Sequence, residues 1–386
     1  MPATPLIQGP AAGAGPLQPD VVVIGAGLAG SLLALALAER GVAVSLVAPE
    51  APDVSGAPAA STAAGEQLAA TALSYGAMAG RAAADQWQRL QRRHGPLGWC
   101  PSGLVAHLET QPLDRLPPEA LALAAAWLPL SRVDGQVLAT ALPAALARAG
   151  VVRRQGWVTA LEPQARGGWN LQLRWDGGGP VGSMASRLTA HQVVLAAGAG
   201  CRRLWPGLAP GLRSSWAGVL LATGGGDSPW LEQVRRGRVV MPRRWRLPEL
   251  EQAAGGQPAE GLPGGGGGER WVVDPGLTAR GAEVLLGQIS LLRPGIDPGE
   301  PPDPAWMETR LRQGLARLDP LLADLPARYR QVPVPFCPDG VPLVGPVDGA
   351  AGLWVFTGFS GAFTQVPPAA VDLAGAIAQW LNPVTL

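Results

Sequence analysis

The chain contains no lysine; all 30 of its basic residues are arginine. That excludes a P-loop lysine, a pyridoxal Schiff base and a lysine general base. Histidine is nearly as scarce. His94, His107 and His191 lie far apart, and none sits in a helical metal motif or a Ser/His/Asp signature, so no metal site is expected. The three cysteines, Cys100, Cys201 and Cys337, are odd in number and widely spaced. They point to reduced thiols in a cytoplasmic protein, not to a disulfide framework. An excess of charge of either sign is also missing: 30 basic against 29 acidic residues leave a net +1. That field is too weak to recruit nucleic acid or an anionic lipid surface. No apolar run reaches the roughly 20 residues of a membrane-spanning helix; Leu28–Ala38 and Leu121–Leu128 are much shorter. Residues 1–19 carry neither a basic n-region nor an apolar h-region and read as a flexible leader.

What is present is a chain of 386 residues, 47% of them apolar, long enough for two domains with real cores. Glycine (53) and proline (40) make up about a quarter of it. Their excess is concentrated in loops such as Gly255–Gly268 and Pro294–Pro304. The strongest local pattern opens the folded part. Val21–Ile24 is a buried β run, Gly25-Ala26-Gly27-Leu28-Ala29-Gly30 follows at once, Ser31–Arg40 is a Leu/Ala helix, and Val42–Val47 is a second β run. A GxGxxG between a buried strand and a helix is a dinucleotide-binding turn. The first glycine permits the turn, Gly27 lets a pyrophosphate approach the backbone, and Gly30 lets helix and strand pack closely. The helix N-terminus then offers free N–H groups to the phosphates. The acidic residue that usually ends the second strand is missing: Ala48 stands there, with Glu50 and Asp53 shortly after.

Further on, Ala84–Arg93, Leu138–Ala149 and Trp306–Leu318 read as helices. Val151–Leu161, Trp169–Trp175, Gln192–Ala196, Trp216–Ala222, Arg238–Met241, Arg270–Val273, Glu283–Leu292 and Leu353–Thr357 read as strands. Near the C-terminus, Gly358-Phe359-Ser360-Gly361 is a turn feeding a helix over Val366–Leu381. Its apolar positions Val366, Ala370, Leu373, Ile377 and Trp380 form one face.

The order and spacing of these landmarks resemble the FAD-dependent oxidoreductases of the D-amino-acid oxidase and glycine oxidase family. Val21–Gly30 resembles the family's phosphate turn, with Gly25, Ala26, Gly27, Leu28, Ala29 and Gly30 as cofactor contacts. Ala60–Glu66 resembles the small-residue segment beside the flavin, which nominates Ser61 and Thr62. Gly156–Glu162 is similar to the strand that meets the adenine, with Val158 in the contacting position. Val193–Gly200 resembles the second nucleotide-facing strand and turn, with Ala197 and Gly198. Pro338–Pro346 and then Thr357–Phe363 resemble the closing signature under the isoalloxazine ring, with Gly358, Phe359, Ser360, Gly361, Ala362 and Phe363. A glycine turn feeding a helix N-terminus also suits the negative N1–C2=O2 edge of a reduced flavin on physical grounds.

The resemblance implies an α/β fold: a Rossmann-like FAD-binding domain interleaved with an α+β substrate domain built on a mainly antiparallel sheet. The first would take residues 20–90, 135–215 and 332–386, and the second residues 91–134 and 216–331. It implies FAD, a small-molecule substrate, and O₂ or another electron acceptor. The sequence departs from the family at one decisive point. Amino-acid-oxidising members carry a carboxylate-clamping arginine just before the P-D-G turn, and here Val334 occupies that position. Candidate substrate-side groups are Tyr75, Arg280 (with Arg243 and Arg244 as alternatives), and Gln288 and Ser290, which share one face of a strand. Cys337 falls five positions too late to match the attachment cysteine of the covalent branch, so FAD is expected to be held noncovalently. The leading expectation is hydride removal from a C–N bond. A reductase or redox-neutral flavoprotein, or a non-catalytic FAD-binding protein, remains the alternative.

Overall fold

A strand covered on both faces must be apolar at every position, and Val21–Ile24 is buried at all four. It forms the middle of the first sheet of the computed structural model. This structure describes residues 18–49, 77–79, 81–107, 130–174, 185–208, 211–223, 225–242, 245–256, 262–263, 268–295 and 297–382. In chain order its elements are β1 (Val21–Ile24), α1 (Leu28–Ala38), β2 (Val44–Ala48), β3 (Ala77–Ala79), α2 (Arg81–His94), β4 (Trp99–Ser102), β5 (Leu104–His107), β6 (Leu130–Val133), α3 (Gly135–Arg148), β7 (Val152–Gln155), β8 (Trp157–Pro163), β9 (Trp169–Arg174), β10 (Ala185–Ala190), β11 (Gln192–Leu195) and α4 (Cys201–Leu204). The second half continues with β12 (Arg213–Ala222), α5 (Pro229–Arg235), β13 (Val239–Pro242), α6 (Leu247–Ala254), β14 (Arg270–Arg280), β15 (Glu283–Leu292), α7 (Pro304–Leu318), α8 (Pro320–Asp324), β16 (Ala327–Phe336), β17 (Leu343–Pro346), β18 (Leu353–Thr357) and α9 (Ala362–Leu381).

The first sheet runs β17-β18-β11-β1-β2-β7. All neighbours are parallel except β17, which returns antiparallel on β18. Alternation along β1 divides the two cores. Val21 and Val23 join Leu32, Leu35, Leu373 and Ile377 beneath α1 and α9. Val22 and Ile24 join Trp169, Leu171 and Leu173 from the three-stranded antiparallel sheet β10-β9-β8. The second large sheet runs β16-β12-β15-β14-β13-β5 and is antiparallel apart from the β13–β5 pair. One of its faces is closed by α7, where Met307, Leu311 and Leu315 pack on Leu220, Leu286 and Ile289. A mixed α/β protein with one largely parallel and one mainly antiparallel sheet is the expected fold class. The chain passes between the sheets several times, because β5 belongs to the second sheet while β7, β11, β17 and β18 belong to the first.

Several boundaries differ from the sequence reading for identifiable reasons. The run Val151–Leu161 is two strands, not one. Gly156 breaks it at φ +137, a region that side-chain-bearing residues avoid; β7 then joins the parallel sheet and β8 the antiparallel one. β14 continues to Arg280, well past Val273. α9 begins at Ala362 instead of Val366, with Pro367 and Pro368 inside it. Proline has no N–H for the carbonyl four residues earlier, and the Phe363 carbonyl instead accepts from the indole Nε1 of Trp87 at 2.9 Å. Among the described residues no helix is long and apolar enough to cross a membrane.

Candidate active site

The two large sheets share one pocket. Its floor is built from three glycine-bearing turns of the first sheet. Gly27, Leu28 and Ala29 come from the start of α1, Ala196, Gly198 and Ala199 from the end of β11, and Phe356–Phe363 from the end of β18 and the start of α9. Its roof is the free face of the second sheet. Strand alternation sends Ser215, Ala217 and Val219 of β12 to the pocket, while Trp216 and Leu220 go to the α7 side. Ser290 of β15 and Val332 of β16 flank Ala217, and Val334 lies across from Ser215. Gln288 completes the polar rim by donating from Nε2 to Ser290 Oγ at 3.1 Å.

The front turn shows why its glycines are not equivalent. A Cβ on Gly25 (φ +108) would collide with the Ala196 carbonyl, and one on Gly30 would collide with the Gly25 carbonyl. Gly27 is different: a Cβ there meets nothing within 4 Å, and its backbone, at φ −69 and ψ −174, is open to any residue. The space beside it belongs to the pocket. Gly27 and Gly361 have no side chain to cap α1 and α9, and at α9 the Gly361 N–H is taken by Gln365 Oε1 at 3.1 Å. Both helices therefore present uncapped N–H groups to one cavity. Ser360 Oγ is buried there and completes no hydrogen bond of good geometry. Open backbone beside Gly27, two uncapped helix starts and an orphaned hydroxyl suit a dinucleotide that carries phosphates at one end and a hydrogen-bonding ring at the other.

By sequence, residues 20–376 match the family described as FAD dependent oxidoreductase. The chain belongs to the FAD dependent oxidoreductase family. No curated protein matches this oxidoreductase in sequence. Solved structures share its fold at low identity. Glycine oxidase from Geobacillus kaustophilus is 18% identical over 94% of this chain and 95% of its own, with a TM-score of 0.62. Iminodiacetate oxidase from Chelativorans sp. BNC1 is 16% identical over 93% and 94%, with a TM-score of 0.58. An L-amino acid deaminase from Proteus vulgaris, lacking its specific insertion, is 16% identical over 98% and 94%, with a TM-score of 0.57. The family makes the protein an FAD-dependent enzyme.

Of the cofactor residues expected from sequence, Gly27, Leu28, Ala29, Gly198 and Gly358–Phe363 line the pocket. Gly25, Ala26 and Gly30 shape the turn behind it. Ala197 accepts from the Gly200 N–H, and Val158 packs beside Val47 and Leu173; neither lines this cavity. Ser61, Thr62, Tyr75, Arg243 and Arg244 lie outside the described residues. Gln288 and Ser290 are brought together on the roof. Arg280 is not: it sits at the β14–β15 turn, where Glu283 holds its guanidinium at 2.5 Å, and it does not line the pocket. Cys337 is a buried thiol packed against Gly358, and burial pushes its pKa up.

Two residues that bear on the site have no sequence signature. Glu251 on α6 lines the pocket and is only 6% exposed. Burial pushes its carboxyl up to about 7, while the nearby Ser360 hydroxyl pulls the other way. Asp274 on β14 is fully buried. Its carboxylate accepts from the backbone N–H groups of Arg246 at 2.8 Å and Leu247 at 3.2 Å, fixing the start of α6 above the cavity.

Proposed function

We propose that this oxidoreductase takes a hydride from the C–N bond of a small amine or amino-acid-like substrate, with FAD held noncovalently. The single observation that carries the reading is the shared cavity, with two uncapped helix starts below and an apolar wall at Val332 and Val334 above. FAD supplies the hydride acceptor when bound. The N–H groups at the start of α1 would hold the pyrophosphate, with Gly27 admitting it to the backbone. The Gly358–Phe363 turn and Ser360 would donate to the ring edge, where the positive end of α9 favours negative charge. Val219, Val332 and Val334 would exclude water from the roof of the cavity, and Gln288 and Ser290 would offer hydrogen bonds to the substrate. The names of the structural neighbours, two oxidases and a deaminase of amino compounds, support C–N chemistry. The electron acceptor is O₂ or another oxidant. Three free thiols among the described residues support a cytoplasmic location. The division at residues 20–90, 135–215 and 332–386 against 91–134 and 216–331 belongs to the same proposal.

Val334 narrows the substrate. A bidentate arginine–carboxylate pair is charge-assisted, with about 1.5–3 kcal/mol per hydrogen bond. Without it, kcat/KM for an α-amino acid falls by roughly a hundred- to several-thousand-fold. Purified protein is expected to be yellow and to release FAD on acid precipitation. It is expected to show negligible turnover of glycine, sarcosine, D-alanine and D-proline with O₂ or an artificial acceptor. Gly27→Val should fold, since its Cβ has room, yet bind no FAD; undiminished FAD in that variant refutes the reading. Flavin reduction by NAD(P)H, with none by any amine, would favour the reductase alternative.

A further inference from the structure

Glu251 is the one charged side chain among the described residues lining the pocket. An ionised carboxylate removed from water is costly unless it is paired, and no described cation pairs with Glu251. The Ser360 hydroxyl lies nearby without completing a hydrogen bond of good geometry. The carboxylate is nonetheless held there deliberately. Asp274 fastens the first turn of α6 through two backbone N–H groups, and Gly255 at its far end is pressed against Pro338. The opposite wall offers no positive charge to an anion. Val332, Pro333 and Val334 are apolar, and Ser215, Gln288 and Ser290 are neutral. Among the described lining residues a substrate carboxylate would meet a like charge and no cation, whereas a substrate ammonium would supply the missing partner.

We propose that Glu251 is the substrate-recognition residue: it pairs with the ammonium of a cationic amine that bears no carboxylate on the reacting carbon, and it takes up the proton which that nitrogen sheds. This rests on the reading of the enzyme as a C–N oxidoreductase. The step balances simply. One substrate N–H bond breaks, one O–H bond forms on Glu251, and no electrons change hands. The nitrogen is left with the lone pair that C–N oxidation requires. A carboxyl poised near neutrality suits this exchange, because it is ionised enough to bind the cation and basic enough to accept its proton.

The other groups on and around α6 do not compete for the role. Arg246 and Glu249 lie on α6 or at its start. On β14, Asp274 is committed to backbone N–H groups and Arg270 does not line the pocket. Beyond β16, Cys337 is kept neutral by burial, and Asp339 accepts from the Val341 N–H in its own turn.

The test is an absorbance titration of the FAD-loaded enzyme with benzylamine, glycine and benzoate between pH 5.5 and 8.5. Benzylamine should bind, with affinity rising about tenfold from pH 6 to pH 8 as Glu251 ionises. Glycine and benzoate should bind far more weakly. Glu251→Gln should weaken benzylamine about 10- to 100-fold and flatten the pH dependence, and Glu251→Asp should restore part of both. Unchanged affinity and pH dependence in Glu251→Gln overturns the proposal. So does a wild-type enzyme that prefers benzoate or glycine, and that result stands even if a variant fails to fold. Benzylamine that binds in this Glu251-dependent way but never bleaches the flavin under anaerobic conditions supports the recognition role and refutes C–N oxidation instead.

Discussion

Two buried carboxylates in this protein have opposite surroundings. Glu39, at the C-terminal end of α1, is ringed by bases: Arg89 and His94 at 2.7 Å and Arg93 at 3.6 Å. Burial alone would raise its pKa, but hydrogen bonds from Arg89 and His94 and the two guanidinium charges outweigh it, and the carboxyl lies below its usual value. Glu251 has comparable burial and no such ring, and its carboxyl is pushed up instead. A chain with 30 arginines uses them to tie helices together at Glu39 and to close the β14–β15 turn at Glu283, and brings none among the described residues to its pocket. The first carboxylate is a fastening between α1 and α2. In the proposed reading the second is the buried half of an ion pair whose other half arrives with a ligand.

The sharpest way to break this contrast is stability against pH. Glu251 has a folded pKa above its unfolded value near 4.5, so its ionisation cost is absent at pH 4, grows as pH rises to about 7, and is full above that. Glu251→Gln should therefore stabilise the FAD-free protein at pH 8 by up to about 3 kcal/mol and leave it unchanged at pH 4, measured by urea unfolding. Glu39 has the opposite sign. Its contribution is present above its unfolded value and is lost as pH falls through the lowered folded one. Glu39→Gln should destabilise at pH 7 by about 2 kcal/mol, a figure reduced from that of a fully buried pair because Arg89 and Arg93 are partly solvated. The loss should shrink in acid. If both variants shift stability in the same direction at pH 8, the contrast fails.

A smaller effect would erase the difference from the other side. Val334→Arg puts a cation on the roof beside Ser215 and should lower KM for glycine about tenfold while weakening benzylamine; steady-state kinetics with both substrates checks this. The smallest change touches neither carboxylate but the helix that joins their two regions. Trp87→Phe keeps a six-membered ring but loses the five-membered ring whose N–H satisfies the Phe363 carbonyl, and should cost about 1–2 kcal/mol in thermal or chemical unfolding.

How much of this was legible in the sequence follows from the range of the forces involved. Gly25, Gly30 and Gly358 stand where a Cβ would collide, so the glycines of these two turns announce local backbone problems, while Gly27 marks space left beside the backbone. Gln288 and Ser290 could be assigned to one face from the two-residue period of β15. Glu251 could not be found this way. Its helix, Leu247–Ala254, is eight residues long and carries no glycine signature, and its burial is imposed by β14 and by Ser360 more than a hundred residues away. Arg280 looked like a free cation in a turn near the pocket, but Glu283, three residues on, captures it. The split of Val151–Leu161 at Gly156 was hidden because a lone glycine inside a β run does not by itself announce a change of sheet.

The paired prolines of α9 carry a consequence for how firmly the flavin end of the pocket is held. A helix start that faces a ligand is ordinarily braced only by its own ladder, and Pro367 and Pro368 remove two rungs from it. The Phe363 carbonyl is tied instead to Trp87, a fully buried residue of α2 whose ring also stacks on Phe363 at 6.0 Å. The first turn of α9 is thus bolted to a neighbouring helix from behind, like a strut pinned at mid-span. In the proposed arrangement, its N–H dipoles have little freedom to swing when charge appears on the ring, so the medium around the electron acceptor needs little rearrangement during transfer. α2 would then help set the midpoint potential of a cofactor it never touches.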